Sequence, residues 1–175
     1  MVALDGAAIP FMVVGSFASS AHGQPRTTHD LDIVIDPTVE SLATFLAALD
    51  PDRFYVDLDV ALDALQRRSM FNAIEMSTAW KVDLVIRKDR AFSIEELGRR
   101  TITQIAEVDA PTATAEDTII AKLEWAKAGS SERQLVDVAG ILRVRANRLD
   151  TEYIARWVAD LGLEEPWRRA QLLIV

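Results

Sequence analysis

The sequence contains no cysteine, which excludes a disulfide framework and a cysteine-ligated zinc site and favours a cytoplasmic location. Long apolar runs are missing as well. The apolar stretch at residues 7–21 is interrupted by Pro10, Gly15 and serines. It is too short and too broken to span a membrane, and it lacks the basic segment of a signal peptide. We therefore expect a protein that does not enter a membrane.

Basic residues are fewer than acidic ones. The chain has 19 Lys and Arg against 27 Asp and Glu, a formal net charge of −8. Because phosphate contacts supply much of the affinity for nucleic acids, this balance argues against a general nucleic-acid-binding surface, although a local basic patch is compatible with a polynucleotide. The acidity suits a metal–nucleotide substrate or a basic protein partner.

The remaining composition is that of a globular protein. Of the 175 residues, 50% are hydrophobic and 26% are charged, which is enough for one domain with a real core. Short apolar runs come first and helical periodicity dominates later, so we predict an α/β (α+β) fold with a mixed β-sheet flanked by helices. Residues 1–112 are predicted to form this core, and residues 113–175 a helical C-terminal part packed on it.

The apolar periodicity predicts the individual elements. Strands are expected at residues 10–14, 30–35, 71–76 and 80–86, with a peripheral strand over 101–108 that the chain leaves at 108–111. Helices are expected at residues 16–22, 38–49, 57–68, 93–99, 114–128, 132–144, 151–161 and 165–173. Ser93 and Glu96 have the spacing of a capping box at the start of one helix.

Two of these strands carry acidic residues on one face. Alternate side chains of a strand point the same way, so Asp30 and Asp32 share a face, and Asp83 has the same place in the strand at 80–86. If the strands are neighbours, three carboxylates converge, and hard oxygen ligands are what Mg²⁺ prefers. A structural ion pair of Asp83 with Lys81 or Arg87 is the alternative interpretation.

A glycine–serine turn precedes the first acidic strand. Gly15 ends an apolar strand, and Ser16 opens the following helix. The free N–H groups of a helix N-terminus attract phosphate, and glycine lets the backbone approach a ligand closely. The sequence thus places a candidate phosphate cradle directly before a candidate metal-binding face.

These motifs occur together in one known superfamily. They are Val14-Gly15-Ser16, Arg26-Thr27-Thr28-His29-Asp30-Leu31-Asp32 and Val82-Asp83-Leu84-Val85. The chain resembles the polymerase-β-like nucleotidyltransferase superfamily, with its Gly-Ser and Asp-x-Asp signature and a third carboxylate. Residues 116–123 and 133–138 are similar to the AbiEii-type branch, which includes toxin-like nucleotidyltransferases of bacterial toxin–antitoxin and phage-defence systems. The resemblance extends from about Val13 to Leu142.

The resemblance implies a role for each matched residue. Gly15 and Ser16 would bind the triphosphate. Asp30 and Asp32 would hold Mg²⁺, and Asp83 would complete the metal site or activate the acceptor hydroxyl. Arg26 and Lys122 would contact the nucleotide, and Asp137 would be a polar partner or base. The four tryptophans are interpreted as core or interface residues. Trp125 is the exception, because it lies three residues from Lys122.

The expected reaction is Mg²⁺-dependent transfer of a nucleoside monophosphate from an NTP to a hydroxyl acceptor. The acceptor is expected to be RNA, such as tRNA, or a small molecule, and the toxin-like branch implies an antitoxin as a protein partner. Two alternatives stay open at this point. One is a binding or regulatory module that keeps the fold without turnover, and the other is a small-molecule, antibiotic-directed adenylyltransferase.

Overall fold

The computed structural model describes residues 1–25, 27–105, 107–129 and 131–174. Within these ranges the strands are β1 (Phe11–Val13), β2 (Asp30–Ile35), β3 (Phe54–Tyr55), β4 (Met70–Glu75), β5 (Trp80–Ile86), β6 (Thr101–Ile105) and β7 (Val108–Thr112). They form a seven-stranded sheet in the order β3-β4-β5-β2-β1-β7-β6. The sheet is mixed, since β2 runs parallel to β5 and antiparallel to β1.

Helices cover both faces of this sheet. They are α1 (Val2–Gly6), α2 (Gly15–His22), α3 (Val39–Ala47), α4 (Leu58–Arg67), α5 (Ala91–Arg99), α6 (Ala115–Gly129), α7 (Glu132–Arg145), α8 (Thr151–Asp160) and α9 (Glu164–Leu172). The predicted α/β class is confirmed, as is the helical character of the last third of the chain. No helix in the described ranges is long and apolar enough to cross a membrane.

The apolar residues of the central strands form a core against the first helices. Ile33 and Ile35 of β2 and Leu84 and Ile86 of β5 are buried there together with side chains of α1, α3 and α4. A second core joins Phe92 of α5 to helices α6 to α9. Because the apolar sides of β2 and β5 are used for the first core, their acidic sides face the second group of helices.

Helix α2 is fixed at its C-terminal end. The Nε2 atom of buried His22 lies 2.7 Å from the Ala113 carbonyl oxygen, and the Arg145 guanidinium approaches its Nδ1 atom at 3.4 Å. Since a carbonyl only accepts, His22 donates through Nε2 and is neutral, and burial lowers its pKa. A Cβ at Gly23 would lie 2.9 Å from the backbone nitrogen of Ile141. Helix α2 is thus packed against α7. Because its C-terminal end is fixed, the turn at the N-terminus of α2 is held in place as well.

The peripheral strand predicted over residues 101–108 ends earlier, at Ile105, and the segment at 108–111, predicted only to leave that strand, forms a strand of its own. Those residues belong to β7, which pairs antiparallel with β6 and meets β1 at Val13 and Thr112. Pro111 lies opposite Ile102 of β6. Proline is tolerated there because β1 pairs with β7 only at the next residue, so the proline nitrogen is not needed as a donor. The two-residue strand β3 was also not predicted.

The capping box predicted for α5 is wrong. The helix begins at Ala91, two residues before Ser93, and its N-cap is Arg90 without a side-chain cap. Ser93 and Glu96 consequently lie inside the helix, on its buried side. Ser93 accepts a hydrogen bond from Arg90 Nε at 3.0 Å instead.

Candidate active site

The turn between β1 and α2 requires glycine for two reasons. Gly15 has a φ of +62°, which is unfavourable for residues with a Cβ. A Cβ at this position would lie 2.0 Å from Oδ2 of Asp32. The Asp32 carboxylate accepts a hydrogen bond from the Ser16 backbone N–H, and the Asp32 carbonyl accepts one from Val14 at 2.9 Å. The start of α2 and the first acidic strand therefore form one unit.

Two of the predicted carboxylates are direct neighbours in the sheet. Asp32 of β2 lies opposite Asp83 of the parallel strand β5, and Asp30 lies opposite Lys81. Asp32 is half-buried, Asp83 is buried and Asp30 is exposed. Burial and the nearby Asp83 raise the pKa of Asp32, while the Ser16 N–H and the Lys122 cation oppose this rise. Two neighbouring carboxylates, of which Asp32 has a raised pKa, attract a cation to this face.

Asp83 is held by two neighbours on its own face. The amide of Asn72 on β4 donates to its Oδ1 atom, and Lys81 Nζ lies 3.0 Å from its Oδ2 atom. The ion pair with Lys81 is thus formed, whereas Arg87 pairs with Asp36 at 2.8 Å. Each oxygen of Asp83 can accept one further interaction, and Asp83 lines the cleft, so these contacts orient the carboxylate without removing it from the site.

Lys122 and Asp137 come together from consecutive helices. Lys122 of α6 is 4% exposed, and its Nζ atom lies 2.7 Å from Asp137 Oδ2 and 3.0 Å from Gln134 Oε1 on α7. Lys122 also lies close enough to Asp32 to lower its pKa. The helical part of the chain therefore contributes a buried cation to the wall opposite the acidic strands.

We tested whether these residues suit Mg²⁺. The described part of the chain holds no group of three or more His, Asp or Glu in a metal-binding arrangement. Mg²⁺ is commonly bound through one or two carboxylates, with substrate phosphates and water as the other ligands. Asp32 and Asp83 fit that pattern and would hold the ion, while a role for Asp30 as a third ligand stays a prediction. Arg26, also predicted to bind nucleotide, lies outside the described residues.

The site opens into a cleft of about 500 Å³. Its floor is the acidic side of β2 and β5, where Val34 and Val85 follow the two carboxylates. Its walls come from α2, α5 and α6, including Ser16 and Lys122. The volume is in the range of small-molecule sites in proteins.

Several polar residues of this cleft were not predicted as site residues, and three of them are Arg90, Glu96 and Glu124. These three residues lie near one another, where Lys88 beyond the end of β5 also acts on Glu96. One sequence signal for Glu96 was present, because it has helical spacing from Phe92 and adjoins Leu97, both of which are buried. An acid on the apolar face of a helix is unusual unless a ligand or partner meets it.

No family model matches the sequence, and no curated protein is significantly similar to it. Solved structures do resemble the fold. An antigenic nucleotidyltransferase-like protein from Paracoccidioides brasiliensis has a TM-score of 0.56 at 16% identity, covering 97% of this chain and 88% of that one. The antibiotic-resistance factor ANT(2'')-Ia has a TM-score of 0.54 at 15% identity, covering 98% and 89%. The chain has a nucleotidyltransferase fold.

A third structure agrees with this assignment. The lincosamide antibiotic adenylyltransferase LnuA, bound to lincomycin, has a TM-score of 0.51 at 12% identity and covers 79% of this chain and 89% of its own. At such identities the likeness concerns the nucleotidyltransferase fold alone. Membership of the AbiEii-type branch stays a prediction.

Proposed function

We propose that the protein transfers a nucleoside monophosphate from an NTP to a hydroxyl acceptor. The observation that supports this most is the pairing of Asp32 with Asp83 across parallel strands, beside the Gly15–Ser16 turn and inside a cleft. Carboxylates on a rigid sheet next to a helix N-terminus combine a site for a cation with a site for phosphate.

In this proposal the acceptor oxygen attacks the α-phosphorus and the bond to the pyrophosphate oxygen breaks. The proton of the hydroxyl passes to the Asp32–Asp83 pair. Mg²⁺ bound by these carboxylates would offset the negative charge of the phosphates. The N-terminus of α2 and the Lys122 ammonium orient the triphosphate, so that catalysis comes mainly from positioning and charge stabilisation.

Lys122 has a definite part in that positioning. Its ammonium is anchored by Asp137 and Gln134, and it is close enough to Asp32 to influence its proton affinity. An anchored cation is presented in one position, which costs less ordering when a phosphate binds than a free lysine would. Asp137 thus acts as the partner of Lys122.

A small molecule is the acceptor class that we favour. The formal charge of −8 disfavours a polynucleotide, and one protein of similar fold, LnuA, is an antibiotic adenylyltransferase. Transfer to RNA or tRNA in a toxin–antitoxin setting remains the second candidate, since the toxin-like motifs favour it. A module that binds without turnover is the third.

The reaction is tested by incubating the protein with Mg²⁺ and each of the four NTPs in turn. Hydroxyl-bearing antibiotics and total tRNA are offered as separate acceptors, and release of pyrophosphate is measured. We expect release with at least one small-molecule acceptor, and a decrease of about 100-fold or more in Asp32→Asn. Asp109→Asn, an exposed carboxylate on β7 of the same sheet, is the matched control and should match the parent protein.

Calorimetry separates the site assignment from turnover. Unchanged Mg²⁺–NTP affinity in the Asp30→Asn/Asp32→Asn double variant would show that the nucleotide site is elsewhere. NTP binding that depends on these residues, without pyrophosphate release for any acceptor, would support the non-catalytic module. Release with tRNA alone would favour the RNA-directed candidate.

A further inference from the structure

The cleft continues well beyond the paired carboxylates. Along β5 it extends from Asp83 past Val85 to Arg87 and then to Lys88. The step from Asp83 to Arg87 is about 13 Å at the rise of a β-strand. That length accommodates a nucleoside in addition to the phosphates. The floor between the two ends, at Val34 and Val85, is apolar.

Glu96 lies in the wall at this far end. It is 6% exposed and lines the cleft, and no residue in the described ranges forms a hydrogen bond with its carboxyl group. Burial, with a smaller contribution from the charge of Asp117, raises its pKa to about 8. Glu96 is therefore a neutral carboxylic acid at pH 7, able both to donate and to accept a hydrogen bond.

Two other charged groups near Glu96, Arg90 and Glu124, neutralise each other. Arg90 binds Glu124 through two hydrogen bonds, Nη1–Oε1 at 2.5 Å and Nη2–Oε2 at 2.6 Å. Its Nε atom donates to Ser93. Both bidentate edges of the Arg90 guanidinium are thus occupied, and beside Glu96 this pair leaves no net charge for a phosphate.

An aromatic side chain completes this part of the cleft. Trp125 of α6 is 64% exposed and lines the cleft, and it lies three residues after Lys122 on the same helix. The exposed ring of Trp125 has surface available for stacking on a planar group in the cleft.

Different charged groups have the largest influence on the pKa of Asp32 and on that of Glu96. The charged groups with the largest influence on the pKa of Asp32 are Asp83, Asp30 and Lys122. Those with the largest influence on the pKa of Glu96 are Asp117, Arg90, Glu124 and Lys88, and the two sets share no group. Because neither Asp32 nor Asp83 is among the main influences on Glu96, and Lys88 beyond β5 is, we place Glu96 away from the carboxylate pair. It meets a more distant part of a ligand.

We propose that Glu96 and Trp125 form the subsite for the nucleobase of the NTP. The Trp125 ring stacks on the base, and the Glu96 carboxyl group hydrogen-bonds with the polar edge of the base, which offers a donor beside an acceptor. This proposal rests on the proposed function, since it assumes that the triphosphate lies at the carboxylate end.

The test is calorimetric titration with each Mg²⁺–NTP and with Mg²⁺–tripolyphosphate, which has no base. Measurements are made without acceptor at pH 6.5 and pH 9. One pH unit above its pKa only about a tenth of Glu96 carries the proton, so the affinity of the preferred NTP should fall about tenfold relative to that of tripolyphosphate. Glu96→Gln, whose amide also donates and accepts, should bind the NTP at pH 6.5 within about threefold of the parent and lose this relative fall.

Two truncations complete the test. Glu96→Ala and Trp125→Ala should each weaken NTP binding about tenfold at pH 6.5 and leave tripolyphosphate binding unchanged. Because Trp125 is exposed, its variant remains informative even if Glu96→Ala does not fold. The control is Glu95→Gln, a neighbour on α5 whose carboxylate pairs with Arg156; it should bind as the parent does.

The failures of the two proposals are distinguishable. If NTP binds and depends on Asp32, but Trp125→Ala and the Glu96 variants bind it as the parent does at both pH values, the base subsite is refuted and the proposed function stands. An NTP affinity that rises relative to tripolyphosphate between pH 6.5 and 9 would also refute it. Absence of binding for every NTP and for tripolyphosphate would refute both.

Discussion

The two ends of the cleft use carboxyl groups in opposite ways. At one end, Asp32 and Asp83 lie side by side with a lysine, an amide and a helix N-terminus around them. At the other end, Glu96 is buried without a hydrogen-bond partner among the described residues, beside the closed Arg90–Glu124 pair. The first arrangement keeps charge available to a metal–phosphate group, and the second keeps an acid neutral.

The difference shows how carboxyl groups acquire two roles in one cavity. Partners that donate hydrogen bonds or carry positive charge favour the ionised form, as the Ser16 N–H and Lys122 do at Asp32. Burial without such partners favours the protonated form, as at Glu96. The three predictions below test this contrast, beginning with the largest expected change in stability.

The largest change is expected at the carboxylate end, for Lys122→Met. The substitution removes a buried cation from Asp137 and Gln134 across the α6–α7 contact. Breaking a buried ion pair by removing one partner costs about 3–5 kcal/mol, so the free energy of unfolding in urea should fall by that amount. The control is Arg67→Met, which breaks the exposed pair with Asp63 and should cost about 0.5 kcal/mol or less. Equal losses in both variants would contradict a special role for the buried pair.

A smaller loss is expected for Gly15→Ala, which changes the turn beside Asp32. A Cβ in this left-handed conformation costs about 1–2 kcal/mol, and it would also displace the Asp32 carboxylate. We expect a lower melting temperature together with weaker NTP binding. Gly98→Ala in α5, where an added Cβ meets nothing within 4 Å, should instead stabilise the helix by about 0.5–1 kcal/mol. A Gly15→Ala protein as stable as the parent would show that the turn tolerates a side chain.

The smallest effect on the free energy of unfolding, counted per pH unit, is expected for Glu96→Gln at the far end of the cleft. The folded pKa of Glu96 is about 8, above its ordinary value of 4.5. Between these values the unfolded chain has lost the proton and the folded protein keeps it, so stability falls as the pH rises, by up to about 1.4 kcal/mol per pH unit. Below pH 4.5 this contribution to stability is fully present, and above pH 8 it is lost.

Glu96→Gln has no such proton to lose. Its free energy of unfolding, measured in urea from pH 5 to pH 9, should decline less steeply than that of the parent. The difference between the two proteins isolates Glu96 from the other acids whose pKa is raised, such as Asp117. Parallel curves would show that Glu96 is ionised in the folded protein at neutral pH and would remove the contrast between the two ends.

Local patterns were enough to predict most of the elements. Alternation of polar and apolar residues placed β2 and β5, and helical spacing placed α6 and α7. The same patterns failed at β7, where the proline-containing segment is held by pairing with β6 and β1. Tertiary pairing outweighed local preference at that point, since a sheet accepts proline wherever no donor is needed.

The carboxylate end could be foreseen because its residues lie in short, regular segments. The direction of each acid in β2 and β5 follows from the twofold alternation of a strand, and Gly15 follows from the need for a tight turn. Local patterns did not predict the register that sets Asp32 opposite Asp83. They also did not predict that α7 anchors Lys122. Both depend on contacts between residues far apart in the chain.

The sequence by itself determined the α/β class, the turn at Gly15 and the acidic face of the sheet, because each depends on residues within a few positions of one another. The tertiary structure alone decided the state of Glu96. The spacing within α5 places Glu96 on the buried face of the helix, but its raised pKa arises only where α5 packs beside the rest of the chain. Protonation is set by the whole surroundings of a group, and those exist only once the chain has folded.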